Sequence, residues 1–220
     1  MNKKFLRLEI VLVLAASLGT SAIYSLLRLA QLMLAPEGIG GSKTELNPSL
    51  ASAEFFAFSF ELVGIAYSLA PAAIALYLLR RENDKAFGEV GIWPINWRFD
   101  LSRGLALAAV IGIPGLALYA VARLTNLAAK IVPAELDGYW WMAGMLLLSA
   151  LRAALQEEVI MVAYLYKRFE QLGLSYRSQQ LISASIRACY HAYQGFAGIV
   201  GNFVMGLVFG YADRKSTRLN

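Results

Sequence analysis

Cysteine and histidine are nearly absent: the 220-residue chain holds one of each, Cys189 and His191. A single cysteine excludes an intrachain disulfide and a CxxC metal site, and a single histidine excludes the HExxH pair of a zinc-binding helix. Charge is scarce as well. Asp, Glu, Lys and Arg make up 16% of the residues, where a soluble domain carries about 25%. Hydrophobic residues reach 58% and the mean hydropathy is +0.54, which reads as a polytopic membrane protein. The formal charge of +5 sits in discrete loops, with no aromatic-interleaved basic stripe, so it marks topology and argues against a nucleic-acid partner. No internal repeat and no soluble domain is evident.

About 20 apolar residues cross a bilayer, and helices alone satisfy the backbone there. Spans are predicted near 8–33, 55–79, 104–124, 139–166, 179–195 and 199–212. The expected fold is therefore an all-α transmembrane bundle of about six membrane helices, forming one domain over 1–212. Polar loops separate them at 35–54, 80–103, 125–138 and 167–178. Lys3, Lys4 and Arg7 precede the first span, Arg80, Arg81, Lys85, Arg98 and Arg103 flank the second loop, and Lys167, Arg168 and Arg177 lie in the fourth. By the positive-inside rule the N-terminus and these loops are cytoplasmic, in a cell membrane. The basic, then apolar, start imitates a secretory signal, but the apolar character continues into IYSLLRLAQLML. An uncleaved first helix is the preferred reading.

Within the fourth span, Gln156 to Arg168 places two adjacent carboxylates, Glu157 and Glu158, inside an otherwise apolar run. An ionisable group at such depth costs at least ~2.5 kcal/mol and marks function by default. The plainer alternative is that both glutamates snorkel, or pair with arginines to hold a bundle. Glu157 precedes Lys167 by ten residues, roughly 15 Å of helix, and His191 follows Arg177 by fourteen, roughly 20 Å. Neighbouring antiparallel helices thus bring the carboxylates and the only imidazole to similar depth. Arg187 and His191, four apart, share a helix face. A lone histidine on an apolar helix is ordinarily a core residue, but a buried arginine demands a carboxylate. The expectation is that Arg187 pairs with Glu158. Glu157 then serves as general base on water, with His191 orienting that water or stabilising the oxyanion.

Adjacent glutamates on one membrane helix followed by RACYH on the next resemble the CPBP intramembrane proteases, which include the type II CAAX prenyl proteases and the bacteriocin-processing or immunity (Abi) proteins. The family's pattern is EExxxR, FxxxH and a later HxxxN or HxxxD. Here EEVIMV has Val162 in the arginine's place, and RACYH has Arg187 in the phenylalanine's. The two departures read as one exchange, with the arginine moved to the next helix. The AYL after the glutamates and YHAYQGFAGIVGNFVMGLVFG are similar to an actinobacterial-type branch, and the resemblance covers 139–212. It implies Glu157 as the water-activating base, Glu158 as its structural partner and His191 as the second catalytic group. It also implies a membrane-associated peptide or protein as substrate. The third motif is missing from the chain, whose tail DRKSTRLN resembles a translated sequencing-library adapter. Asp213 to Asn220 is thus expected to be foreign, with a natural basic tail as the alternative; as written, the chain is expected to be inactive or impaired. The family's metallopeptidase description implies zinc, with Glu157 and His191 as candidate ligands, but a catalytic zinc site ordinarily takes three protein ligands.

Weaker signals remain. The glycines at 195, 198, 201, 206 and 210 predict close helix approach. Asn202 reads as a helix cap or a site residue, and Glu61 with Arg152 as a further buried pair. Three functions compete: an intramembrane endopeptidase, a noncatalytic bacteriocin-immunity or scaffold protein, and a Glu/His proton-relay transporter. Clustering of the ionisable groups at one depth disfavours the last.

Overall fold

The computed structural model describes residues 2–45, 54–83, 96–132 and 139–217. The chain opens with α1 (Lys3–Ala15), capped by the Asn2 side chain accepting from the Lys4 amide, and continues into α2 (Leu18–Leu34). The two meet at a 57° bend, so the expected straight first span is a broken one. A single turn, α3 (Gly38–Gly41), leads to β1 (Lys43–Glu45). Next come α4 (Glu54–Ser68), α5 (Ala70–Glu82) and α6 (Trp97–Leu124), then β2 (Lys130–Val132). The C-terminal part begins with α7 (Met142–Glu157), which widens into a π-helical segment (Glu158–Tyr164) and continues as α8 (Leu165–Leu172). α9 (Tyr176–Tyr190), a 3-10 turn (Ala192–Gln194) and α10 (Phe196–Thr217) complete it.

The all-α expectation holds; the only pairing of named strands among the described residues is β1 with β2, parallel, from Lys43 opposite Lys130 to Glu45 opposite Val132. The count of membrane helices is corrected. Among the described residues, Glu54–Glu82 and Trp97–Leu124 are long and apolar enough to cross a bilayer, and α1 with α2 add a third if the bent pair is one span. The other expected spans fall short for physical reasons. α7 and its continuation carry Arg152, Glu157 and Glu158 within one span's length, and α9 has only 15 residues. α6 starts earlier than predicted and takes Arg98 and Arg103 out of the expected loop, where each lies over an aromatic ring, of Trp97 and Phe99 respectively. Half of that loop, residues 84–95, and parts of the 35–54 and 125–138 loops lie outside the described residues. The outward faces of α4 and α6 present Phe55, Phe56, Val63, Val110, Ile113 and Leu116. An apolar patch of this extent suits lipid contact.

The core gathers on the π-helical segment. Val159, Ile160, Met161, Tyr164, Leu165 and Phe169 pack with Leu6, Ile10 and Val13 of α1 and with Ala72, Ala75 and Leu79 of α5. At its edge is a charge that the sequence assigns to a loop. Arg168 is 0% exposed. Its Nε donates to Glu9 Oε1 at 2.8 Å, its Nη1 to Glu82 Oε2 at 2.6 Å, and its Nη2 to the Leu78 carbonyl. Tyr164 also donates to Glu9, and Gln171 to Glu82. One guanidinium therefore ties α1, α5 and α8 together.

Close approach of α9 and α10 follows from small residues. A Cβ on Gly206 would lie 2.8 Å from Ala184 Cα, so only glycine lets these backbones meet. Asn202 is not a cap: it is buried inside α10 and its Nδ2 returns to the Gly198 carbonyl one turn back.

Candidate functional site

Three elements converge on Glu157: the end of α7, the last turn of α9, and the 3-10 turn behind it. Glu157 is the last α-helical residue before the helix widens at Glu158. Short π segments are rare and occur frequently at functional sites. Ser183 of α9 donates to the Met161 carbonyl at 3.0 Å, pinning the widened turn to α9. α9 ends at His191, whose φ of −103° and ψ of 5° leave the helix. Ser25 of α2 caps that end by donating to the Tyr190 carbonyl at 2.7 Å. Gly195 then turns the chain into α10 with φ +94°; a Cβ there would meet the Leu127 carbonyl at 2.8 Å. The amides of Ala129 and Ala197 bond across this junction to Gln194 and Leu127.

The side chains meet as follows. Arg187 Nη1 is 2.6 Å from Glu157 Oε2. His191 Nε2 is 3.5 Å from the other oxygen, Oε1. The expected partner of Arg187 was Glu158; the ion pair is made by Glu157 instead. The reason is helix phase, since consecutive residues point about 100° apart, and Glu158 is exposed on another face. Arg187 is otherwise held by apolar contacts, its Nη2 near Met205 Sδ and its guanidinium over the Phe209 ring. Gln194 Nε2 lies 3.5 Å from His191 Nδ1 and donates to Tyr193 Oη. With Gln194 donating, Nδ1 is the acceptor and Nε2 carries the ring hydrogen toward Glu157. Tyr190 and Tyr193 flank the imidazole with ring centroids at 4.7 and 6.2 Å.

Several polar atoms here are buried without a protein hydrogen bond: His191 Nε2, Tyr190 Oη, Arg187 Nε and Arg152 Nε. Each such group costs about 1–3 kcal/mol. Buried unsatisfied polar groups of this kind call for a specific explanation, a functional role among them. Glu157, Tyr190 and His191 open onto a groove of about 490 Å³ lined also by Tyr24, Arg28 and Arg152. The expected Glu61–Arg152 pair does not form. Arg152 instead receives Ser149 as partner and turns into the groove. Sequence reasoning missed Tyr190, Gln194 and Arg28; an aromatic next to the lone histidine and a glutamine three residues on were the available signals for the first two.

Residues 139–219 match the family model described as type II CAAX prenyl endopeptidase Rce1-like. Over these residues, less than half of the chain, the sequence is similar to that family. Neither the comparison with curated proteins nor that with solved structures found a match. The match begins at Tyr139 and takes in every side chain of the Glu157 cluster, while α2, which closes the groove, lies outside it. The family match and the apolar helices support a membrane protein.

The zinc that a metallopeptidase description implies does not fit the donor set. Among the described residues no group of three His, Cys, Asp or Glu side chains stands together. Glu157 and His191 supply two donors, and the Arg187 cation already occupies one of the carboxylate oxygens.

Proposed function

We propose that the chain is an intramembrane endopeptidase in which Glu157 activates water against a peptide bond of a membrane-associated substrate. The observation that carries this reading is the Glu157 carboxylate held by Arg187 at one oxygen, with its other oxygen facing the buried, unpartnered Nε2 of His191 at the groove wall. A water between Oε1 and the substrate carbonyl gives its proton to Glu157 as its oxygen bonds to the carbonyl carbon. The electron pair displaced onto the carbonyl oxygen is stabilised by the Nε2–H of His191, with the Tyr190 hydroxyl as a second donor. Glu157 then delivers the proton to the departing amide nitrogen and the C–N bond breaks, so the site returns to its starting state. Glu158 belongs to the supporting structure in this scheme. The N-terminus is assigned to the cytoplasmic side of a cell membrane by the charges at Lys3, Lys4 and Arg7.

The rival is a noncatalytic immunity or scaffold protein, favoured by one observation: the Glu157–Arg187 pair would bind α7 to α9 with no chemistry at all. The test is cleavage of a membrane-peptide library by the purified full chain in detergent, beside Glu157→Gln. The endopeptidase reading expects at least a ~100-fold loss of rate in the variant, as for removal of a general base. Cleavage indifferent to Glu157 transfers the site to the rival.

A further inference from the structure

Cations collect where β1 meets β2. The parallel register sets Lys43 directly opposite Lys130. Both lysines are exposed while Thr44, the next residue of β1, is buried, so the two side chains leave the ladder on its outer face. Like charges facing each other across a strand pair destabilise it. Neither lysine enters an ion pair among the described residues. Arg28 stands beside them: its Nη2 donates to the Lys43 carbonyl at 3.2 Å, and the two residues line a hollow of about 410 Å³. Gln31, Glu37 and Ser42 are the other polar residues lining it, and it shares only Arg28 with the groove beside Glu157. Segments 28–45 and 123–132 together hold four cations, Arg28, Lys43, Arg123 and Lys130, against two acids, Glu37 and Glu45.

The depth of this group is set by α6. Its 28 residues run about 42 Å, more than the ~30 Å of hydrocarbon in a bilayer. A membrane-crossing α6 therefore brings its last turn into the headgroup layer. Arg123 in that turn donates from Nη1 to the Gly40 and Ala128 carbonyls, each at 2.7 Å, and Tyr119 Oη accepts from the Ile131 amide at 3.0 Å. These bonds hold the ladder against the end of α6. Nearby in the chain, Met33 and Leu34 of α2 and Leu124 and Leu127 after α6 expose apolar side chains. Excess positive charge bordered by exposed apolar residues is the complement of an amphiphile with an anionic head.

We propose that Lys43, Lys130 and Arg28 bind the headgroup phosphate of an anionic phospholipid, whose acyl chains lie along the exposed apolar ends of α2 and α6. Basic pockets between membrane helices take acidic headgroups in this way. The phosphate joins the two ammonium groups and turns a repulsive ladder pair into a bridged one. The inference is independent of the peptidase reading and of the Glu157 cluster.

The test needs no turnover. The full chain in mild detergent is given an equimolar mixture of phosphatidylglycerol and phosphatidylcholine, and retained lipid is counted by native mass spectrometry. The parent is expected to prefer phosphatidylglycerol at least ~10-fold, and Lys43→Gln and Lys130→Gln each to lower that preference about fivefold, as for one basic side chain near a headgroup. Lys130→Glu should abolish the preference and yet, in lipid-free detergent, melt at or above the parent temperature, because it makes the ladder pair one of opposite charge. Equal retention of the two lipids overturns the proposal, as does a preference untouched by Lys130→Glu. A lower melting temperature for Lys130→Glu overturns it too, since Lys130 then has its partner within the chain. Inorganic phosphate that displaces the lipid, where sodium chloride of equal ionic strength does not, assigns the site to a soluble anion and overturns the lipid assignment.

Discussion

Replacing Arg168 with Met removes the one cation between Glu9 and Glu82 and leaves two carboxylates facing each other across a closed space. The side chains of Glu9 and Glu82 are 15% and 28% exposed, against 0% for Arg168. Breaking a buried ion pair on one side costs about 3–5 kcal/mol, because the stranded charge remains. At roughly 2–4 °C per kcal/mol for a chain of this size, Arg168→Met should lower the melting temperature by about 6–20 °C. The assay is tryptophan-fluorescence melting of the purified chain in detergent. Its control is Lys167→Met, one residue earlier, whose partner Glu170 is exposed and 3.5 Å away. Such a surface pair contributes under about 1 kcal/mol. The triple change Glu9→Gln, Glu82→Gln, Arg168→Met should recover part of the loss, since a neutral network carries no stranded charge. A melting temperature for Arg168→Met within about 2 °C of the parent would refute the clamp.

Three further outcomes follow from the packing and the site. Gly206→Val pushes a side chain into Ala184 of α9 and should cost about 1–3 kcal/mol, read as lowered melting temperature. Arg187→Met strands Glu157 and should destabilise by several kcal/mol, whereas His191→Gln should cost about 1 kcal/mol; equal melting of the two variants would remove the ion pair from the fold's support. Arg187→Phe combined with Val162→Arg should regain roughly half of the stability lost in Arg187→Phe alone, measured as a double-mutant cycle. No recovery would show that an arginine on the widened turn does not reach Glu157.

Much of the fold was legible because hydrocarbon allows few solutions. The apolar runs at 55–79 and 104–124 became helices long enough to cross a bilayer. Span count was less legible, since apolar composition does not show where a helix bends. The α1–α2 elbow is held by Ser17 Oγ returning to the Val13 carbonyl at 2.6 Å, a local bond that no periodicity reveals. Arg168 was misplaced for a related reason. A basic residue after an apolar run reads as a loop marker, but Glu9 and Glu82 reach it from helices 159 and 86 positions away. Lys167 beside it behaves as the rule says. Only long-range packing separates the two.

The candidate cluster was legible in part: Tyr190, Gln194 and Arg28 were not singled out, and the partner of Arg187 was misread. Glu157, Arg187 and His191 were all singled out, and all three meet; the error lay in which of two adjacent glutamates faces α9. That choice depends on helix phase, and the phase is reset where α7 widens at Glu158. The consequence is chemical. With Arg187 on Glu158, Glu157 would be a carboxylate with no fixed orientation. With Arg187 on Oε2 of Glu157 itself, the guanidinium locks the carboxylate plane and presents Oε1 to His191 and the groove. In the proposed mechanism, one carboxylate divides its two oxygens between holding the helices together and meeting water. The arginine that the family pattern places on the same helix here arrives from α9, so the geometry of the base depends directly on the packing of α9 against α7. Substitutions that loosen that packing, at Ser183 or Gly206, should therefore lower turnover before they unfold the chain.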